Sequence, residues 1–242
     1  MPKHRLHVDG PLSTGLAVTL DPERSHYLCR VLRQRRGDTV VLFAGDGNGY
    51  EAHISSADTR ACEVNVGACL ATEALPRLRL HLGQAMIKGE RLDWVLQKAT
   101  ELAVTDIWLL ETQRTEVHVA GARLSRREQH WLRIIAGAAE QCGRLRLPQI
   151  HGPIPLATIL ADPPAQQIYL LDPGAAPLAA TPREHDTLLL VGPEGGFSDT
   201  ERAAALAIGA TTLGLGKLIL RADTAPVAAI SVLRQGWGWA AP

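Results

Sequence analysis

The stretch LLLVGPEGGFSDTE, Leu188 to Glu201, joins an aliphatic run to a helix start through three glycines, a proline and one carboxylate. Bare backbone after a strand lets a ligand approach the amides, and the N-terminus of the following helix is a natural anion site. Ser198 and Glu201 stand at capping-box spacing, which marks that helix start. The loop is not a P-loop, because no G-K-[ST] follows, and no G-x-G-x-x-G is present for a dinucleotide. A second stretch, LGLGKLILRADTA from Leu213 to Ala225, carries two more glycines and then Arg221, Asp223 and Thr224 ahead of another helix. Two glycine-bearing loops at adjacent strand ends can wall one cleft. Bare amides and apolar side chains suit a flat, neutral adenine better than a triphosphate, and the charged Arg221 and Asp223 at the lip suit chemistry. Glu194 has two readings at this level, a site residue or a structural cap on the turn amides.

The elements that must position these loops fall into two regimes. Up to about residue 72 the pattern is strand-rich: RLHV, a short basic helix, TVVLFAGDGNGYEAHI and ACEVNVGACL. Val40–Phe43 and Tyr50–Ile54 flank GDGNG, whose Asn48-Gly49 predicts a hairpin turn. The spaced glycines there are turn residues and not a nucleotide loop, since no helix follows them. This half, residues 1–72, reads as a small β-barrel. After a linker around TEALPR the period changes. In ERLDWVLQKATEL the apolar Leu92, Val95, Leu96, Ala99 and Leu102 recur at helical spacing. Strands apolar throughout then alternate with helices, which predicts a mostly parallel sheet covered on both faces over residues 73–242. Pro148 to Pro182 holds eight of the fifteen prolines, so connections and a short helix are expected there.

The chain has 242 residues, no formal net charge and 46% hydrophobic content, ample for two cores. Neutrality argues against a protein that coats nucleic acid, although local patches survive it. From Arg24 to Arg36, RSHYLCRVLRQRR has five arginines and no acid. Tyr27, Leu28, Val31 and Leu32 offer a packing side, which leaves Arg30 and Arg33 free for phosphates. MPKHRLHVDG has no apolar core for a signal peptide, and no segment reaches the roughly 20 apolar residues of a membrane span. Four cysteines without a CxxC pair or a His partner fit a reducing cytosol, with neither zinc nor a disulfide framework. A cytoplasmic protein is expected.

GPEGGFS with Glu201, LGLGKLILRADTA, VLRQRRGDTVVLFAGDGNGYEAHI, KGERLDWVLQKATELAV, TQRTEV and EQCGRLRLPQI together resemble the 16S ribosomal RNA uridine-N3 methyltransferases of the SPOUT superfamily. The resemblance runs in order from about Arg5 to Leu233. It implies an α/β fold: a C-terminal SPOUT domain with a deep trefoil knot and a mostly parallel sheet, plus an N-terminal PUA-like RNA-binding β-barrel. It also implies S-adenosylmethionine as cofactor, a homodimer, and a uridine near the decoding centre of 16S RNA in the small ribosomal subunit as substrate. Carried over residue by residue, the cofactor would meet Leu171, Gly192, Glu194, Gly195, Gly196, Leu213, Leu215, Gly216 and Leu220. Arg5, Arg30, Arg33, Lys88, Lys98, Arg114 and Arg144 are the candidate RNA contacts, and Glu140, Gln141 and Arg144 could close the site across a dimer interface. Four positions depart from the family pattern: Ala103 for a glycine, Leu218 for an arginine, and Ala222 and Asp223 where the family commonly has threonine and glutamate ahead of Thr224.

Methyl transfer from a sulfonium needs donor and acceptor at near-attack distance, and uridine N3 must lose a weakly acidic proton. Arg221 is the candidate cation for the anionic ring, with Asp223 orienting it or taking the proton. Two other classes of protein compete with this reading. One is a non-catalytic RNA-binding module, and the other is a nucleotide-phosphate enzyme that uses GPEGG as a cradle. The missing P-loop lysine weighs against the latter.

Overall fold

The computed structural model describes residues 4–177 and 184–237. They form two compact units, one of residues up to Leu75 with Ala136–Leu147, the other of Pro76–Ile135 with the rest of the chain from Pro148.

In the first unit, β1 (Arg5–His7), β2 (Ala17–Thr19), β3 (Thr39–Phe43), β4 (Asn48–Ser56) and β5 (Glu63–Thr72) make one sheet in the order β1-β3-β4-β5-β2. Only β1 and β3 pair in parallel. Alternation along the strands turns one set of side chains inward, and Leu6, Val40, Leu42, Ile54, Val64 and Val66 meet in a single core. The hairpin forms as expected, but its turn lies earlier than Asn48-Gly49. Gly49 already pairs with Phe43, and Gly45 and Gly47 take the positive φ angles (83° and 101°) that bend the chain.

The basic helix is shorter than expected. α1 (Pro22–His26) is capped by Asp21, which accepts from Arg24 N–H at 2.8 Å, and it runs into one π-helical turn, Tyr27–Val31. The wider turn breaks the 3.6-residue spacing, so Leu28 is buried while Tyr27 and Val31 point to solvent. Arg33 follows in the left-handed region at φ 56°, outside any helix.

Glu140, which the sequence suggested for a dimer interface, is taken up inside this unit. Its carboxylate accepts the His7 N–H at 2.8 Å, and burial raises its pKa, partly offset by that hydrogen bond and by the Arg24 charge. A raised carboxylate pKa stabilises the fold below the unfolded-state pKa, and that stability is lost as pH rises through the folded value. Glu140→Gln keeps an acceptor for His7 without the buried charge. It should raise the melting temperature at neutral pH, with the difference closing as pH falls into the ordinary carboxylate range. Melting curves across that range check this, and a glutamine protein that is less stable at neutral pH would show that the charged hydrogen bond outweighs desolvation.

The second unit is a six-stranded, wholly parallel sheet in the order β11-β9-β10-β6-β7-β8. Its strands are β6 (Leu80–Ala85), β7 (Asp106–Glu111), β8 (Gln149–Pro155), β9 (Gln167–Leu171), β10 (Thr187–Val191) and β11 (Thr211–Leu213). Helices α2 (Gly89–Glu101), α3 (Ala122–Cys142), α4 (Leu156–Ala161), α5 (Asp199–Ala207) and α6 (Thr224–Gly236) complete the chain. β6 and β10 are buried along their whole length, as central strands covered on both faces must be. Sequence reasoning left QIHGPIP as a connection, but it forms β8. As an edge strand, β8 tolerates its prolines because one side of its backbone has no partner.

Ala103 has a structural explanation. α2 ends in a Schellman-type closure in which Val104 N–H reaches Ala99 O at 3.0 Å, and Ala103 is held at φ 58°. A Cβ is disfavoured at that angle, whereas glycine adopts it freely. Ala103→Gly should therefore stabilise the folded chain by roughly 0.5–1 kcal/mol, the relief of left-handed strain less glycine's entropic cost. Urea titration measures it, and no gain in midpoint would mean that the cap holds Ala103 without strain.

Candidate functional site

The two glycine loops come together at the C-terminal edge of the parallel sheet. β10 ends at Val191, and Pro193–Gly196 closes a tight turn in which Gly196 N–H donates to Pro193 O at 2.8 Å. Gly196 sits at φ 68°, and a Cβ built on it would meet nothing within 4 Å. A Cβ on Gly192 would lie 3.1 Å from the Gly196 backbone. One glycine is therefore needed for close packing and the other for its backbone angle. A valine at 196 would strain the backbone whatever it did to a ligand, so asparagine, which tolerates that angle, is the cleaner probe there.

α5 begins as its sequence implies. Ser198 Oγ accepts Glu201 N–H at 3.2 Å, and Glu201 Oε2 accepts Ser198 N–H at 2.9 Å. Glu201 Oε1 also accepts Gln113 N–H at 2.7 Å, and Arg114 Nη1 donates to Gly195 O at 2.7 Å. The segment after β7 thus braces the glycine loop. Glu194 does not cap the turn amides. It pairs with Arg91 at 3.2 Å and is half exposed.

These loops wall a cleft of about 350 Å³. Leu171, Gly192, Glu194, Gly195, Gly196 and Leu220 line it, as the sequence suggested. Leu213, Leu215 and Gly216 do not. Leu213 is fully buried beneath, paired with Leu171 in the sheet, and Gly216 is an exposed turn residue at φ 104°. Val191, Asp172, Phe197, Arg202 and Ile219 join the wall without having been singled out. A signal for Asp172 existed: it follows apolar β9 just as Gly192 follows β10, and ligand sites lie beyond such strand ends. Apolar walls, a glycine turn with open space above it, and charges of both signs (Arg114, Arg202, Asp172 and Glu194) fit an adenosyl group better than a polyphosphate.

Arg221 and Asp223 lie beside the cleft, whose wall includes their neighbours Leu220 and Ala222. Arg221 is exposed and, among the described residues, makes no ion pair with Asp223 or Glu194. Its carbonyl accepts the Thr224 and Ala225 N–H groups at the start of α6. Asp223 is the residue before α6, and its Oδ1 accepts the Thr224 hydroxyl at 3.4 Å.

The proposed RNA contacts divide. Arg5, Arg30 and Arg33 are exposed. Arg144 is not available, since its side chain is only 10% exposed and lies 3.7 Å from Glu73. Lys88 is tied to Glu116 at 2.6 Å, and Lys98 lies between Glu101 (2.7 Å) and the Trp94 ring. Arg114 braces the cleft instead of facing outward alone.

A parallel sheet with a glycine-walled cleft at its C-terminal edge places the second unit among open α/β folds, whose ligand sites lie beyond the strand ends. The chain belongs to the RNA methyltransferase family, whose domain matches residues 73–234, and an RNA methyltransferase PUA domain matches residues 20–67. Ribosomal RNA small subunit methyltransferase E of Synechocystis is 32% identical over 222 residues, covering 88% of this chain and 71% of the relative. The enzyme of that name from Neisseria gonorrhoeae, solved bound to S-adenosyl methionine, superposes with a TM-score of 0.86 at 29% identity, over 97% of this chain and 98% of the other. A methyltransferase from Legionella pneumophila, solved with the cofactor SAM, gives 0.89 at 33% identity, with 97% and 98% covered.

Proposed function

We propose that this protein transfers a methyl group from S-adenosylmethionine to N3 of a uridine in 16S ribosomal RNA, near the decoding centre, with the assembled small subunit as substrate. The observation that carries this reading is the glycine-walled cleft with an exposed Arg221 next to it, which makes no ion pair among the described residues. Leu171, Gly192, Gly195, Gly196 and Leu220 would hold the cofactor, and Arg114 and Gln113 keep the glycine turn in shape. When bound, the cofactor supplies an electrophilic methyl group on a sulfonium. Arg221 places positive charge beside the uridine ring as its N3 proton departs, and Asp223 accepts that proton or steers the base.

We infer a homodimer for the working form, supported by the exposed apolar Leu218, Ile219 and Val232 of the second unit. The trefoil knot is supported by the lacing of the segments that follow β9 and β11. Asp172 N–H donates to Leu213 O at 2.9 Å, and Gly214 N–H donates to Ala176 O at 3.0 Å. A cytoplasmic location follows from the substrate; among the described residues no helix is long and apolar enough to cross a membrane.

Nucleoside analysis of 16S RNA tests the reaction. A strain lacking this protein should lose 3-methyluridine alone, and its small subunits should accept label from S-adenosylmethionine when purified protein is added. Unchanged nucleosides would overturn the assignment in favour of a non-catalytic RNA-binding module.

Arg30 and Arg33 are exposed on and just beyond the π-helical turn of the PUA-like unit, with no fixed partner among the described residues. Alanine at both should weaken RNA binding and leave cofactor affinity unchanged. If each neutralises one phosphate of a single strand, the slope of log K against log salt should shrink by about 1.4, at about 0.7 per contact. An unchanged slope would make this segment a solvated surface.

A further inference from the structure

The cleft holds two carboxylates that differ in kind. Glu194 is 42% exposed and engaged by Arg91, so it belongs to the rim. Asp172, directly after β9, has a side chain only 10% exposed and lies in the cleft wall. Its Oδ1 is fixed by the Gly174 N–H at 3.0 Å, while Oδ2 faces the guanidinium of Arg202 and takes no further hydrogen bond among the described residues. Arg202 is 45% exposed and reaches in from the first turns of α5 on a long, flexible side chain. The carboxylate is therefore anchored and desolvated, while its counter-cation is a half-exposed side chain with water as an alternative. Only the Arg202 end of the pair is solvated, so the guanidinium can give up this contact to water at little cost to itself. A buried carboxylate without any cation would be costly, which is why one stays.

Resting on the cofactor reading above, we propose that Asp172 binds the cationic end of the cofactor and that Arg202 is the exchangeable place-holder which that cation displaces. S-adenosylmethionine carries two cations, a sulfonium and an ammonium. Its demethylated product keeps only the ammonium, and methylthioadenosine has neither. A carboxylate that serves a ligand cation thus contributes to the first, to the second only if it meets the ammonium, and never to the third.

Calorimetry with these three compounds on the wild-type protein, Asp172→Asn and Arg202→Ala tests the assignment, with melting curves for each protein. Asparagine keeps the shape and the Gly174 acceptor and removes the charge. Asp172→Asn should weaken S-adenosylmethionine by about tenfold or more while leaving methylthioadenosine unchanged, as expected for loss of a buried charge-assisted contact. An equal loss for the demethylated product places the ammonium at Asp172, and no loss for it places the sulfonium there. Arg202→Ala should bind S-adenosylmethionine at least as tightly as wild type, because the competitor has gone. The inference is overturned if Asp172→Asn binds S-adenosylmethionine normally, or if it loses methylthioadenosine in parallel. It is also overturned if Arg202→Ala weakens the cofactor, because the pair is then a structural clasp or Arg202 itself is a ligand contact. A wild-type protein that binds none of the three sinks the cofactor reading itself, a result distinct from any change confined to the variants.

Discussion

Arg221→Ala and Arg221→Lys are expected to lose turnover by about a hundredfold or more, the usual cost of one positioned electrostatic contact, with cofactor affinity and melting temperature near wild type. The structure sharpens this expectation. A side chain that is exposed and unpaired among the described residues leaves no internal contact to lose, and only its backbone carbonyl serves the fold, by accepting α6 N–H groups that any residue would satisfy. Lysine keeps the charge but loses the planar fork, so it does not rescue an interaction with a flat, delocalised anion. Single-turnover methylation of small subunits, calorimetry and thermal melting on the same preparations separate the outcomes. If stability and cofactor affinity fall together with activity, Arg221 is a structural residue.

Gly214→Ala is expected to damage the fold itself. A Cβ on Gly214 would stand 1.9 Å from Ala175 O and 3.1 Å from Ala176 O, which is backbone and not the movable tip of a side chain. Gly214 also donates to Ala176 O and forms a parallel bridge with Pro177, so the two segments cannot separate without breaking these bonds. Overpacking against rigid backbone places the cost on the order of 3 kcal/mol. At about 2–4 °C per kcal/mol for a chain of this size, the melting temperature should drop by roughly 6–12 °C. Cofactor binding should weaken too, since the Asp172 N–H to Leu213 O bond joins the same two segments beneath the cleft. A melting temperature within about 2 °C of wild type would mean that the segments part easily.

Much of this arrangement was legible in the residue pattern because local rules and tertiary needs agree there. The apolar spacing of Leu92, Val95, Leu96 and Ala99 marks the buried face of α2, and Ser198 with Glu201 marks the first turn of α5. Reading failed where a local rule was outvoted. The prolines of QIHGPIP argue against a strand, but an edge position removes their penalty, and edge position is a property of the whole sheet. The Tyr27–Val31 turn has ordinary helical composition, so nothing in its residues marks the π geometry that accompanies the burial of Leu28 in the core. At the site, glycine loops were visible because their composition is unusual. Arg114, Asp172 and Arg202 were misplaced or passed over because each is common in sequence, and only the fold brings them to one cleft.

That cleft draws its wall from Arg114 through Ala225, nearly half the chain. The segments laced at Asp172–Leu213 and Ala176–Gly214 enclose β10 and α5, so neither wall can be finished before the intervening chain has taken its place. Closing contacts of such long range is slow, since the loop entropy is spent before the contacts repay it. During synthesis, the cleft is therefore among the last parts of the molecule to exist, completed only when Leu220 and then Ala225, in the first turn of α6, arrive. The first unit, with its exposed arginines, has all its residues once Ala136–Leu147 has left the ribosome, well before Ala225. A growing chain can present this arginine-bearing surface while the walls of the cleft are still unfinished, so any ligand of the cleft waits for Ala225.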